Sequence, residues 1–207
     1  MLTREDVLAL LTSDRKNIIL DSIRGGLAFY EDPTNYSAAA RRDHTLRESA
    51  TCRNSHIVAR ARRATAEMSD FCVKVVRGRV LFIIEDKLCV SFKKFDKRLR
   101  SRNYPTRQAR AFLGQRTLEL AFPPEMTNLV AGYKMDPAEV DYEVFITCPI
   151  GNKNAWQLRL FGEEIIDFFS AAPAVPVAED FKRRIVLKSP DEATDAIERD
   201  DATATNG

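Results

Sequence analysis

The hydrophobic period of this chain changes once, near residue 70, and that change restricts the folds open to it. Up to Met68 the apolar residues recur three or four apart, as on a helix face: Ile19, Ile23 and Leu27, then Ile57, Ala61 and Ala64. From Phe71 onward they recur every second residue. The clearest case is Val140, Tyr142, Val144, Ile146 and Cys148, alternating with Asp141, Glu143, Phe145 and Thr147. A helical third followed by a stranded half has one economical arrangement. The helix stripes must bury themselves on a sheet face. The expectation is an α+β fold: N-terminal helices packed on a mainly antiparallel sheet of about six strands.

Local signals place the elements. Thr3 with Asp6 reads as a capping box, and Leu2 can staple against Val7, for a first short helix ending near Leu11. Ser13-Asp14 begins a second helix, which Gly25-Gly26 is expected to end or loosen. Ser37 then caps a long helical stretch from about Ala38 to Met68. Leu46, Ala50, Ile57, Ala61, Ala64 and Met68 lie on its apolar side, with Arg53 in the gap. Strands are expected at Phe71–Val76, Arg79–Ile84 and Leu88–Phe92, separated by Arg77-Gly78 and by the turn Glu85-Asp86-Lys87. A short helix from Thr106 to about Gln115 and strands at Asn128–Met135, Val140–Cys148 and Ala155–Phe161 complete the pattern. The last three read as an antiparallel meander. Gly162 to Ser170 reads as a final short helix.

The 207 residues suffice for one domain, expected over 1–171 with a helical part at 1–68 and a sheet part at 71–161. Beyond Ala171 the composition shifts to Ala, Pro, Val, Asp, Glu and Thr, so 172–207 is expected to be an acidic, mostly disordered tail. Only Phe181 to Lys188 is apolar enough there to dock. No apolar run approaches the ~18 residues of a membrane span, and the first residues are charged and lack a signal core. Cys52, Cys72, Cys89 and Cys148 form no C-x-x-C pair. The last three sit in strand-like stretches, where a free cysteine acts as a small hydrophobe. A reducing cytoplasm is the expected setting.

The formal net charge of +2 conceals a strong segregation. Residues 41–116 hold 20 Lys and Arg against 7 Asp and Glu, while the rest of the chain holds 12 against 23. A middle with net +13 calls for a polyanion, an acidic protein surface, or the chain's own acidic ends. The densest part is Lys93-Lys94-Phe95-Asp96-Lys97-Arg98-Leu99-Arg100-Ser101-Arg102-Asn103-Tyr104. Cations interleaved with aromatic rings suit phosphate contacts and base stacking. Arg60, Arg62, Arg63, Lys93, Lys94, Lys97, Arg98, Arg100, Arg102, Tyr104 and Arg107 are therefore the candidate binding residues, for nucleic acid or an acidic partner. The plainer reading is a solvated face whose charges pair with the tail and with the strand at 140–148.

Chemistry-bearing constellations are sparse. Asp70 with Glu85 and Lys87 matches the carboxylate–carboxylate–lysine pattern of metal-dependent nucleases. In those enzymes, however, the Glu-x-Lys element lies within a strand, and here it falls on an expected turn. His44 and His56, on one helix, would sit about 120° apart around its axis and not share a metal. They read as solvated or locally hydrogen-bonded. Cys52, one turn before His56, lacks further ligands nearby. No metal, cofactor or catalytic triad is expected.

Four segments carry a resemblance: Phe92-Lys-Lys-Phe-Asp96, Asn103-Tyr-Pro-Thr-Arg-Gln-Ala109, Thr127-Asn-Leu-Val-Ala-Gly-Tyr133 and Ile146-Thr-Cys-Pro-Ile-Gly151. Over residues 71–161 the chain resembles a loosely defined set of bacterial and phage proteins without assigned activity. These lie on mobile elements near ImmA/IrrE-type metallopeptidase genes. The chain has no His-Glu-x-x-His and so does not read as such a peptidase. The resemblance implies a phage, mobile-element or defence setting and no reaction. Together these features point to a non-enzymatic binding or regulatory protein, with the metal-dependent nuclease as the alternative.

Overall fold

A computed structural model describes residues 1–101, 106–116, 126–136 and 141–161 of the chain, all within the unit Met1–Ala171. Thr3 and Asp6 form the expected capping box and open α1 (Arg4–Leu10). α2 (Ser13–Glu31) is capped by Thr12 and buries Ile19, Leu20, Ile23 and Leu27. Each such side chain removed from water contributes roughly 1.5–3 kcal/mol.

Gly25 and Gly26 do not end α2. They lie in its interior, and α4 explains why. A Cβ at Gly26 would stand 2.5 Å from the backbone nitrogen of Ile57, so the absent side chain is what lets the two helices touch. The expected long third helix is also two. α3 (Ala38–Asp43) stops at His44, whose backbone is extended, and a capping box of Thr45 with Glu48 starts α4 (Leu46–Ala64). On α4 the inward positions are Ile57, Ala61 and Arg53, while Leu46 is 76% exposed.

The sheet runs in the order β1 (Phe71–Val76), β2 (Arg79–Ile84), β3 (Leu88–Lys94), β4 (Thr127–Met135), β5 (Tyr142–Ile150) and β6 (Lys153–Leu160). Every pairing is antiparallel except β3 with β4, which is parallel, from Leu88 opposite Thr127 to Lys94 opposite Tyr133. A parallel joint requires a crossover, and α5 (Arg107–Leu113) lies in it. The turn between β1 and β2 has Arg77 at φ 48° and Gly78 at φ 80°, the left-handed pair a two-residue hairpin needs. The segments expected to form a last helix (162–170), the tail and the docking stretch 181–188 lie outside the described residues.

Alternation along the strands gives two cores, one per sheet face. Phe82, Ile84, Leu88, Val90, Phe92, Leu129, Ala131, Tyr133, Val144 and Ile146 meet α1, α2 and α4. Leu81, Ile83, Cys89, Val130 and Phe145 face the other way, where Phe95, Leu99 and Phe112 cover them. Cys89 and Cys148 are buried and act as small hydrophobes, whereas Cys72, on edge strand β1, is exposed.

Candidate functional site

Lys93 and Lys94 are neighbours in sequence and opposites in space. Successive strand residues point to opposite faces, so Lys94 falls on the helix side with Phe92 and Lys93 on the far side with Cys89 and Ser91. Beyond β3 the chain folds over that far face. Asp96 organises the turn: Oδ1 accepts the backbone N–H of Arg98 (2.8 Å) and of Arg100 (2.9 Å), and Oδ2 accepts the Arg100 guanidinium. Burial alone would push the Asp96 carboxyl up, but these donors, led by the Arg100 backbone, hold it below its ordinary value. Phe95 and Leu99 plug the sheet, and Lys97 and Arg98 are left exposed.

α5 lies over the same face. Thr106 caps it, Ala109 and Phe112 turn inward, and Arg107 and Arg110 stay exposed. Its end is stitched to the sheet by Gln115. The side-chain amide donates to the carbonyls of Asn128 and Pro149, both at 2.8 Å, and accepts the Asn128 N–H. Under α5, the guanidinium of Arg79 lies 4.9 Å from the centre of the Phe112 ring. Between the turn at 96–101 and the β5–β6 turn lies a cleft of about 170 Å³, with Leu113, Val130 and Pro149 among its lining and Arg100 and Lys153 at its polar side.

The far face therefore gathers Lys93, Lys97, Arg98, Arg100 and Arg107, together with Arg79, Arg110 and Lys153. Arg100 is tied to Asp96. Among the described residues, Arg79, Lys93, Lys97, Arg98, Arg107 and Arg110 have no ion-pair partner. Glu143, one of the two acids of the strand expected to neutralise them, is already held by Lys134 and by Arg159 at 2.8 Å. Arg60, Arg62 and Arg63 are not part of this surface. They are exposed on α4, over the opposite sheet face, with the Arg60 guanidinium against Gly25 of α2. Arg102 and Tyr104 lie outside the described residues.

Asp70 and Glu85 do come together, around a residue the sequence reading missed. Arg15 donates to Asp70 Oδ2 at 2.5 Å from Nη2 and 2.9 Å from Nε, and to Glu85 Oε1 at 2.6 Å; its other arm reaches the Leu10 carbonyl at 2.6 Å. Burial opposes the Arg15 charge, but Glu85 and Asp70 outweigh it and raise its pKa, while the Arg15 hydrogen bond lowers that of Glu85. Glu85 and Asp86 form the exposed turn, both with positive φ, and Lys87 Nζ stands 3.7 Å from Glu85. These donors do not fit a divalent ion, since both carboxylates already converge on one guanidinium.

The histidines are locally hydrogen-bonded, from different elements. His44 Nδ1 is 2.8 Å from the Tyr30 hydroxyl, and His56 Nε2 is 2.9 Å from that of Tyr36. Burial, then Arg63, depresses the His56 pKa. Two signals for the missed residues were present in the sequence. Arg15 precedes Ile19, Ile23 and Leu27 at four-residue spacing, and Arg79 alternates with Leu81 and Ile83, so both share a buried face.

No family model matches the chain, and neither a curated protein nor a solved structure is found to be similar to it. Among the described residues no helix is long and apolar enough to cross a membrane.

Proposed function

We propose that this is a non-enzymatic nucleic-acid-binding protein that contacts its ligand with the sheet face covered by α5 and the turn at 96–101. One observation carries the reading: on that face Lys97, Arg98, Arg107 and Arg110 are exposed, and no described carboxylate neutralises them. Cations held apart on a rigid turn and a short helix suit a run of phosphates better than a single small anion. The surface is narrower than the basic segment from which it was expected, because Arg60, Arg62 and Arg63 belong to the helix layer. A role in phage, mobile-element or defence biology rests on the resemblance of residues 71–161 alone.

The salt dependence of binding tests this. Affinity for a short single- or double-stranded oligonucleotide should fall linearly in a log–log plot against salt, and each phosphate-contacting cation removed should flatten the slope by about 0.7–0.9. Replacing Lys97, Arg98, Arg107 and Arg110 by Ala should remove most of the slope, and replacing Arg60, Arg62 and Arg63 should leave it nearly intact. Absence of binding to both kinds of strand at low salt would overturn the proposal in favour of an acidic protein partner. The alternative, a metal-dependent nuclease at Asp70, Glu85 and Lys87, requires Arg15 to leave both carboxylates. It predicts divalent-ion-dependent cleavage that Glu85→Ala abolishes.

A further inference from the structure

We infer that Arg79 and Lys93 form a recessed phosphate-binding site in the sheet face beneath α5. The two stand on adjacent antiparallel strands. The β2–β3 ladder runs from Ile84 opposite Leu88 to Phe82 opposite Val90; beyond it Arg79 and Lys93 lie on the same sheet face, close enough for the Arg79 charge to act on Lys93. Both side chains are half-buried on one face. The Arg79 guanidinium is pressed against the Phe112 ring, and its Nη1 is shut off from solvent and has no hydrogen-bond partner.

Neither cation has a carboxylate among the described residues. Two like charges close together on one sheet face repel, and a buried charge without a partner costs more than a surface one. The surroundings add to this. Lys74, Val76 and Gln108 approach from β1 and α5, and Cys89 lies on the neighbouring inward position. The burial of Arg79 depresses its pKa, and burial followed by the Arg79 charge depresses that of Lys93. An oxyanion placed between the two would relieve both the desolvation and the repulsion. Arg offers a planar fork and Lys a point charge, a pairing suited to phosphate oxygens.

The phosphate source is either a free anion or a group on a nucleic-acid backbone. A backbone source rests on the function proposed above; the anion site itself does not. It would fix the register of the strand while Lys97, Arg98, Arg107 and Arg110 contribute to the affinity along it.

The test uses the full chain and two probes, inorganic phosphate and a short oligonucleotide. Phosphate should raise the melting temperature saturably above sodium chloride of equal ionic strength, and Arg79→Met should abolish that difference, with Lys93→Gln as the second variant. The oligonucleotide should bind about tenfold or more weakly to either variant, the size of one lost charge-assisted contact. Loss of the phosphate effect with unchanged oligonucleotide affinity would assign the site to free phosphate. A phosphate effect on a chain that binds no oligonucleotide would retain the site and remove the proposed function. Equal effects of phosphate and chloride on the parent chain, or the same phosphate effect in both variants, would overturn the inference.

Discussion

Arg15 is the residue on which three separate pieces of the chain converge: the end of α1 through the Leu10 carbonyl, the approach to β1 through Asp70, and the β2–β3 turn through Glu85. Arg15→Met would strand both carboxylates. Because each remains about a third open to water, the cost should be nearer that of a charged hydrogen bond than of a fully buried pair, about 1.5–3 kcal/mol in urea unfolding. Glu85 should then titrate closer to an ordinary carboxylate by NMR. His56 gives a second expectation. Its folded pKa is depressed, so the unfolded chain takes up the proton first. The stability it contributes is complete above the unfolded value of about 6.5 and is lost as pH falls below it. Glu85 and Asp96, also depressed, lose their contribution only as pH falls below about 4. Melting temperatures in His56→Gln should lack the decline that sets in as pH falls below about 6.5, while keeping the acid one.

Two adjacent glycines in α2 make opposite predictions. Gly26→Ala drives a methyl group into the backbone of α4 at Ile57, and overpacking of this kind should cost about 2–3 kcal/mol despite the better helix propensity. At Gly25 the added Cβ meets only the far end of the Arg60 side chain, which can swing away. Gly25→Ala should be neutral or stabilising by up to about 0.8 kcal/mol, with both effects read from the urea midpoint. The pair also shows what sequence could convey at this scale. Strand positions were legible because alternation and turn residues report on the same few residues, and β1 and β2 have the expected bounds. The Gly25-Gly26 misreading arose because a glycine required by a neighbour 31 positions away has the same local signature as one that ends a helix. The break at His44 was signalled by Thr45 and Glu48, but the apolar spacing on either side masked it.

For the molecule as a whole, the consequential joint is the parallel ladder between β3 and β4, which no local pattern announces. The same non-locality explains the site. Net charge identified the basic middle, but whether two of its cations share a surface depends on which sheet face each reaches, and this separated Lys97 from Arg62. Gly132 sits in the joint, where a Cβ would stand 1.8 Å from the Lys93 carbonyl oxygen. Gly132→Ala should lower the urea midpoint more than Gly26→Ala, by about 3 kcal/mol or more, because its Cβ would press deeper into backbone, 1.8 Å from the Lys93 carbonyl oxygen against 2.5 Å from the Ile57 nitrogen. The joint also has a meaning for synthesis. β1, β2 and β3 can pair as they are made, but β3 then waits with one edge open until β4 emerges, 33 residues after Lys94. At the ~5–20 residues per second of a ribosome, that edge of Cys89, Val90 and Phe92 is uncovered for about 2–7 seconds on every nascent chain. Slower translation of residues 95–126 should therefore reduce the soluble yield, and a chaperone that shields strand edges should restore it.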